Sequence, residues 1–401
     1  MRGEKGRRVA GILGVLVFWV LLMPLQVFAA SVEGLSLTVS YEAKCGKPST
    51  FSVQAAGGSG NYLYYLGNIT REGEDGQYFV TDPSRMPGYK ADNTFSFTFC
   101  ASGVYYLHFY VMDKGASPIE TKRTVLRVVL EDPEYPAVEA IADRIAAECK
   151  ANCQTEYDRA LWLHDWLVDH CTYDSALLYC GPEGALARGR GTCESYHRAY
   201  TMLLDRVGIA NGRMEGNGHV WTAVRMDGNW YQVDVTWDDN GYSSHTYENY
   251  LYFGLNDGIM QLVHSDHSPN SGYESNSLAN NYLIRSGAVR RWSDPLAESI
   301  QRNLEAGNTS FVIPVKDSLP GSNQDVVYSL AAYQLSSQEW TAAGRRVQVQ
   351  AVYSDKQMLV NAACGPADPE TERCQSCRQL KTTVDRLIRP LQSESAPLLW
   401  T

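Results

Sequence analysis

Basic residues are in the minority. Lys and Arg number 35 against 45 Asp and Glu, a formal net charge of −10 over 401 residues. That balance excludes a nucleic-acid partner, which would call for clustered Lys and Arg. Cysteine is sparse as well: ten are too few for a disulfide-dense miniprotein, yet enough to make the redox compartment matter. The HExxH, Gly-x-Ser-x-Gly and P-loop patterns are missing, which removes three enzyme classes. There is no internal repeat, and a single apolar run approaches the length of a membrane span. What is present, 44% hydrophobic, 20% charged and 11% aromatic residues, describes a core-forming globular chain long enough for two or three domains.

The apolar run lies at the start. Arg2, Lys5, Arg7 and Arg8 precede an uncharged stretch from Val9 to Ala30, broken at Pro24 and ending near Val27-Phe28-Ala29. Basic, then apolar, then small is the order of a secretory signal peptide, so residues 1–30 are expected to be cleaved. An uncleaved anchor is the alternative, because 22 uncharged residues could span a bilayer; only then would a membrane be a partner. Cleavage removes four basic groups and Glu4, which takes the formal charge from −10 to −13. The expected product is secreted or held at the cell surface, acidic, with cysteines free to pair.

Residues 31–131 alternate apolar and polar positions in seven short runs: 35–41, 50–56, 62–69, 78–81, 95–100, 104–112 and 125–130. Turn signals such as Gly57-Gly58-Ser59-Gly60 separate them, and the pattern reads as an antiparallel Ig-like β-sandwich. Cys45 and Cys100 could staple it. Gly57–Gly60 is a turn, not a phosphate cradle, since no helix pattern follows. This unit offers no chemistry and reads as a spacer or a binding module, with a cell-wall or surface ligand as its possible partner.

The period turns helical over 132–275. Val138, Ile141, Ile145 and Ala146 mark one helix; Leu161, Trp162, Trp166 and Leu167 mark a second. A third starts near Thr192, with Tyr196, Ala199, Tyr200, Leu203, Leu204 and Val207 as its buried stripe and Gly208 as its stop. A smaller α/β unit is expected over 294–363: strand 310–315, helix 325–335, then strands 347–353 and 358–362. Residues 364–401 form a charged tail containing Cys364, Cys374 and Cys377.

Two strands flank Asp227-Gly228, a strong hairpin signal. With those two residues as the loop, Met226 faces Asn229, Trp221 opposes Asp234 and His219 opposes Thr236. Alternation then puts His219 and Asp234 on one face as diagonal neighbours. The other face carries Val220, Val224, Met226, Val233 and Val235, a core surface. One side of the hairpin is thus expected to be buried, and the other to present an imidazole beside a carboxylate. A bulge would break this register.

Such a couple needs a nucleophile, and Cys193 stands at the first turn of the third helix. The positive helix end stabilises a thiolate there, and a nearby imidazolium lowers the thiol pKa further. Cys193 would attack a carbonyl carbon, His219 would carry the proton, and Asp234 would fix the imidazole tautomer. Singly, each residue reads as ordinary structure: a small buried hydrophobe, a core histidine, a turn-flanking acid. It is the combination that points to chemistry.

Gly191-Thr192-Cys193-Glu194-Ser195-Tyr196, Gly218-His219-Val220-Trp221 and Trp230-Tyr231-Gln232-Val233-Asp234-Val235-Thr236-Trp237-Asp238 resemble, in order, the Cys, His and Asp blocks of the transglutaminase-like superfamily. The stretch from Leu161-Trp162-Leu163-His164-Asp165 to Tyr173-Asp174 is similar to the lead-in helix of many microbial members. The resemblance implies a papain-like α/β core, with Cys193 as nucleophile, His219 as base and Asp234 as orienting acid. No cofactor is expected. Members include cross-linkers, cysteine peptidases, amidases and inactive relatives, which share acyl-enzyme chemistry and differ in whether water or an amine resolves it. The Cys193 backbone N–H is the first expected oxyanion donor, with Tyr173 or Trp221 as the second.

Other signals are set aside. His264 and His267 have ligand-like spacing, but a polar surface loop is the expected reading. Cys374 and Cys377 form a CxxC without a fourth ligand, so a disulfide in an exported tail is preferred to zinc. Cys149 and Cys153, one helical turn apart, are expected to pair elsewhere, with Cys171 or Cys180. Asn68-Ile69-Thr70 and Asn308-Thr309-Ser310 are sequons, meaningful only in a eukaryotic secretory pathway. The expectation is therefore an exported thiol enzyme that hydrolyses protein or peptide amides. Cross-linking acyl transfer, or a non-catalytic adhesive protein using the same fold, is the alternative.

Overall fold

The computed structural model describes residues 28–31, 34–73, 76–241, 245–264, 272–315 and 323–364. Residues 1–27, His267, Cys374 and Cys377 lie outside them, and with them most of the leader and the tail CxxC. Among the described residues no helix is long and apolar enough to cross a membrane.

The first unit is eight strands in two antiparallel sheets. In chain order they are β1 (Phe28–Ser31), β2 (Ser36–Glu42), β3 (Ser49–Ala56), β4 (Tyr62–Gly73), β5 (Gly76–Phe79), β6 (Thr94–Phe97), β7 (Gly103–Asp113) and β8 (Glu120–Leu130). One sheet runs β1-β2-β3-β6 and the other β5-β4-β7-β8. Both contribute alternate residues to one core, among them Val39, Phe51, Val53, Leu107, Phe109 and Leu126. All seven runs read from the alternation become strands. The eighth, β1, spans the end of the segment expected to be leader and pairs with β2.

The middle unit has α1 (Val138–Asn152), α2 (Glu156–His170), β9 (Thr172–Tyr173), α3 (Pro182–Leu186), β10 (Arg190–Gly191), α4 (Cys193–Arg206), β11 (Asn211–Gly216), β12 (His219–Met226), β13 (Asn229–Val233), α5 (Val235–Asp238), β14 (Phe253–Leu255) and α6 (Asp257–Met260). Its antiparallel sheet runs β11-β12-β13-β14, with α1, α2 and α4 sharing its core. The buried stripe of α4 is the expected one. On α2 the buried stripe is Tyr157, Ala160, Leu163, His164 and Leu167, while Trp162 and Trp166 are only partly covered. The tryptophans had set the expected phase one position off.

The last unit contains α7 (Tyr282–Arg285), α8 (Ala288–Glu305), β15 (Ser310–Pro314), α9 (Gln324–Ser337), β16 (Trp340–Ala342), β17 (Arg345–Ser354) and β18 (Gln357–Cys364), with sheet order β15-β18-β17-β16. Helix α9 serves two cores: Val326, Val327, Leu330 and Ala331 pack toward the middle unit, Tyr328, Ala332 and Leu335 toward the last sheet.

All eight described cysteines are free thiols, so no bridge staples Cys45 to Cys100. Cys153 has left the helix, with extended backbone as the C-cap of α1. Its thiol lies beside that of Cys149, where pairing with Cys171 or Cys180 was expected.

The first two units interlock. Tyr179 of the middle unit is buried in the first unit's core, and its hydroxyl donates to the Thr98 carbonyl at 2.7 Å. The Cys180 N–H donates to the Val80 carbonyl at 2.9 Å. Deeper in the contact, the buried Arg71 of β4 bonds Glu183 of α3 and Glu139 of α1, each at 2.5 Å. The first unit therefore forms one side of the ground on which α4 stands.

Candidate active site

Cys193 is the first residue of α4, where backbone N–H groups are unmatched and the helix dipole is positive. The approach to it is tight. A Cβ on Gly191 would come within 2.4 Å of the Ser195 Cβ, so only glycine fits. Ser195 Oγ donates to the Tyr179 carbonyl at 2.9 Å, and His197 Nδ1 lies 2.9 Å from Thr222 Oγ1 on β12. These bonds tie the start of α4 to the Tyr179 segment that docks into the first unit on one side and to the sheet on the other.

His219 opens β12 after the two-residue turn Asn217-Gly218, both with positive φ, the type I′ geometry of a tight hairpin. The Asp227-Gly228 hairpin has the expected register from Met226↔Asn229 to Thr222↔Val233. There the ladder ends. Asp234 has left the strand and caps α5, its side chain accepting from the Trp237 N–H at 3.2 Å. The expected pairings of Trp221 with Asp234 and His219 with Thr236 therefore do not form, because the chain turns into a helix first. The two side chains still meet: His219 Nε2 lies 2.7 Å from Asp234 Oδ2. Nor is only one hairpin face buried; Trp221 and Ala223, on the face of His219, are as buried as Val220 and Val224. Helices cover one side and residues after β14 the other, leaving only the His219 end open.

Short helix α5 is itself anchored. Asp238 Oδ2 lies 3.1 Å from His164 Nε2 on α2, and its Oδ1 accepts from the Tyr252 N–H at 3.0 Å. Burial opposes charge on His164, but Asp165 and Asp238 on its two nitrogens outweigh that and raise its pKa to about 9. His164 and Asp238, which both fall within the sequence stretches singled out above, thus fix the element that carries Asp234.

With Nε2 committed to Asp234, the imidazole lies beside the Cys193 thiol, which is close enough to act on its protonation. Burial lowers the His219 pKa, yet the bonds to Asp234 and Cys193 prevail and raise it to about 9. Asp234 is fully buried, which disfavours its charge, but His219 and His264 hold the carboxyl below the usual range. The structure thus brings Cys193, His219 and Asp234 together in the order thiol, imidazole, carboxylate.

The group opens on a cleft of about 830 Å³. One wall is Glu194, Arg198, Arg213 and Glu215 of the middle unit, where Glu194 accepts from both arginines. The opposite wall belongs to the first unit: Phe79, Asp82, Pro83 and Arg85. Cys180 also lines the cleft, but burial pushes its thiol up to about 12 and its Sγ donates to the Phe79 carbonyl. It is not poised as a nucleophile. Tyr173 lines the same cleft as Cys193. Trp221 does not reach it; the indole is buried and its Nε1–H donates to Gln232 Oε1 at 2.6 Å.

One residue of the site is not where the sequence suggested. His264, expected in a polar surface loop, is 1% exposed. Its ring stacks on Trp221 at 4.2 Å between centroids and leans on Trp237 at 4.1 Å. Its Nε2 is 3.3 Å from the same Asp234 oxygen that His219 uses.

Residues 143–235 match the transglutaminase-like superfamily. No curated protein matches the sequence. Among solved structures, the chain is similar to a transglutaminase with 14% identity and a TM-score of 0.24, over 40% of this chain and 47% of the other. It is similar to a provisionally named cysteine protease from Cytophaga hutchinsonii with 13% identity and a TM-score of 0.22, over 53% and 79% of the two chains. A provisionally named protease from Parabacteroides distasonis shares 8% identity at a TM-score of 0.22, over 82% and 89%. The chain thus spans less than half of the first of these structures.

Proposed function

With residues 143–235 forming a transglutaminase-like core, we propose that this protein is an exported thiol enzyme that cleaves protein or peptide amides through an acyl-enzyme on Cys193. The observation that carries this reading is the chain of contacts from Cys193 to His219 to Asp234 on the floor of a cleft. The Cys193 thiolate attacks the amide carbonyl, and the tetrahedral adduct is met by the Cys193 N–H and Tyr173. The imidazolium of His219 then gives its proton to the leaving amine as the C–N bond breaks, leaving a thioester. Water, deprotonated by the neutral imidazole, attacks the thioester; an acid is released and the thiol returns. Hydrolysis is preferred to cross-linking because an exported enzyme works in abundant water, while an amine would use the same thioester. Incubating the full chain with a peptide amide, with and without a primary amine, separates the two: hydrolysis predicts free acid as the main product in both.

The His219 shift sets the pH dependence. An imidazole with its pKa raised to about 9 keeps its proton through neutral pH and loses it above that value. The leaving amine then lacks its acid, so kcat/KM is expected to fall above about pH 9. Asp234→Asn, which removes the main support of the imidazolium, should move that limb to lower pH. A limb that stays in place in Asp234→Asn would contradict the assignment.

The sandwich-like first unit, read as Ig-like from its sequence, is proposed to take part in substrate binding. Phe79, 41% exposed, presents an apolar ring to the cleft from that unit. Covering part of such a ring is worth about 1–1.5 kcal/mol, so Phe79→Ala should raise KM about tenfold with little change in kcat. Steady-state kinetics on a casein-derived peptide checks this; an unchanged KM would remove the first unit from substrate binding.

A further inference from the structure

We propose that His219, Asp234 and His264 form a binding site for a divalent cation of the zinc type, and that a cation held there switches the thiol chemistry off. Each residue offers one ligand atom, and the three atoms lie within 4.8 Å of one another. Two imidazole nitrogens and one carboxylate oxygen are the donor set that zinc and its first-row neighbours accept, with a fourth position left for water.

His264 supplies the independent observation. It is buried, yet among the described residues neither ring nitrogen has a hydrogen-bond partner. Nε2 approaches Asp234 Oδ2 to 3.3 Å but out of line for a hydrogen bond. A buried imidazole so placed is costly unless something else meets it. A cation lying off the line between nitrogen and oxygen would be reached by both. Metal–ligand bonds of about 2.0–2.2 Å in tetrahedral geometry hold donors roughly 3.3–3.5 Å apart. The His264–Asp234 pair already has that spacing, and the His219–Asp234 pair, at 2.7 Å, needs only to open slightly. Trp221 and Trp237 clamp the His264 ring, so the ligand is preoriented.

Loading balances simply. The proton on His219 Nε2 leaves to solvent, His264 ligates through Nε2 as the neutral imidazole with its proton on Nδ1, and the cation sits between the two imidazoles and the carboxylate. The ring, fixed through Nε2, then no longer forms the imidazolium that pairs with the Cys193 thiolate and protonates the leaving amine. The inhibition rests on the thiol reading above; the binding does not.

The test uses the full chain with Cys364, Cys374 and Cys377 changed to Ser, so that tail thiols do not compete for metal. Zn²⁺ is titrated by calorimetry, and Co²⁺ is used as a visible probe. One cation per chain is expected, retained in Cys193→Ser and weakened at least about tenfold in His264→Gln and in Asp234→Asn. Amide cleavage should be lost at the same Zn²⁺ concentration that fills the site and return on chelation. Absence of stoichiometric binding, unchanged affinity in His264→Gln, or a sulfur-to-cobalt band that vanishes in Cys193→Ser would overturn the site. Should His264→Gln fail to fold, the parent Co²⁺ spectrum decides: tetrahedral nitrogen–oxygen bands support the site, and a sulfur band overturns it. A protein that binds the cation but never cleaves amides refutes the thiol reading alone; one that cleaves but binds nothing refutes the site alone.

Discussion

Replacing Cys193 with alanine is expected to lower kcat/KM on a peptide amide by roughly four to six orders of magnitude. No other cysteine in the cleft can substitute, because burial pushes the Cys180 thiol up to about 12 and binds it to the Phe79 carbonyl. The loss should be chemical and not structural. Cys193 is half-buried at a helix start and lies outside the buried core, so thermal unfolding should move little. Since nucleophile and imidazole act as a unit, the double variant Cys193→Ala/His219→Ala should be about as inactive as either single one. Single-turnover assays with purified proteins check both points. Activity of Cys193→Ala within about tenfold of the parent would be incompatible with a covalent route through this thiol.

The largest loss of stability is expected from Arg71→Ala. Arg71 and Glu183 are each 1% exposed, and the guanidinium reaches across the contact between the first two units to Glu183 and Glu139. Burial already drives the Glu183 carboxyl up, with Arg71 as the main opposing influence. Removing the cation leaves a buried acid with no counter-charge, and breaking such a pair costs about 3–5 kcal/mol. Arg71→Met/Glu183→Leu should recover most of that loss, because both desolvated groups go together. Denaturant unfolding of the two variants decides the matter: a double variant as unstable as Arg71→Ala would mean the arginine acts through packing alone. Because this contact also seats the cleft wall that carries Phe79, Arg71→Ala should raise KM as well.

Much of this architecture is legible in the sequence for identifiable reasons. A strand buried on one face must alternate, so the seven runs of the first unit were visible. The stripe of α4 was equally plain, since Tyr196, Ala199, Tyr200, Leu203 and Leu204 keep helical spacing, whereas the buried Ser195 and His197 carried no such signal. Helix α8 was missed because its buried stripe includes Ser293 and because Pro295 sits inside it, where a proline ordinarily argues against helix. The β11–β12 hairpin was also missed, although Asn217-Gly218 carries the same left-handed turn chemistry as Asp227-Gly228.

The site divides in the same way. Cys193 and His219 follow from helix and strand position. Asp234 was found by a register that the chain does not keep to its end: the ladder stops at Val233, and helix capping, not strand pairing, delivers the carboxylate. His264, expected in a surface loop, is buried instead. It arrives from beyond β14 through tertiary packing against Trp221 and Trp237, and no local period marks such a residue as buried. The reach of the first unit into the cleft was invisible for the same reason, since Phe79 and Cys193 are far apart in the chain and meet through long-range contacts: Tyr179 docked in the first core and Arg71 bridging to Glu183 and Glu139.

The central claim is that Cys193 is a free, activated nucleophile paired with His219. The most direct measurement is the rate of iodoacetamide alkylation at each cysteine of the native full chain at neutral pH, mapped by peptide mass spectrometry. Cys193 is predicted to label first, well ahead of the buried Cys149, Cys171 and Cys180, and to lose that advantage in His219→Ala. Labelling of Cys193 no faster than an unfolded thiol, or a Cys193 found in a disulfide, would contradict it.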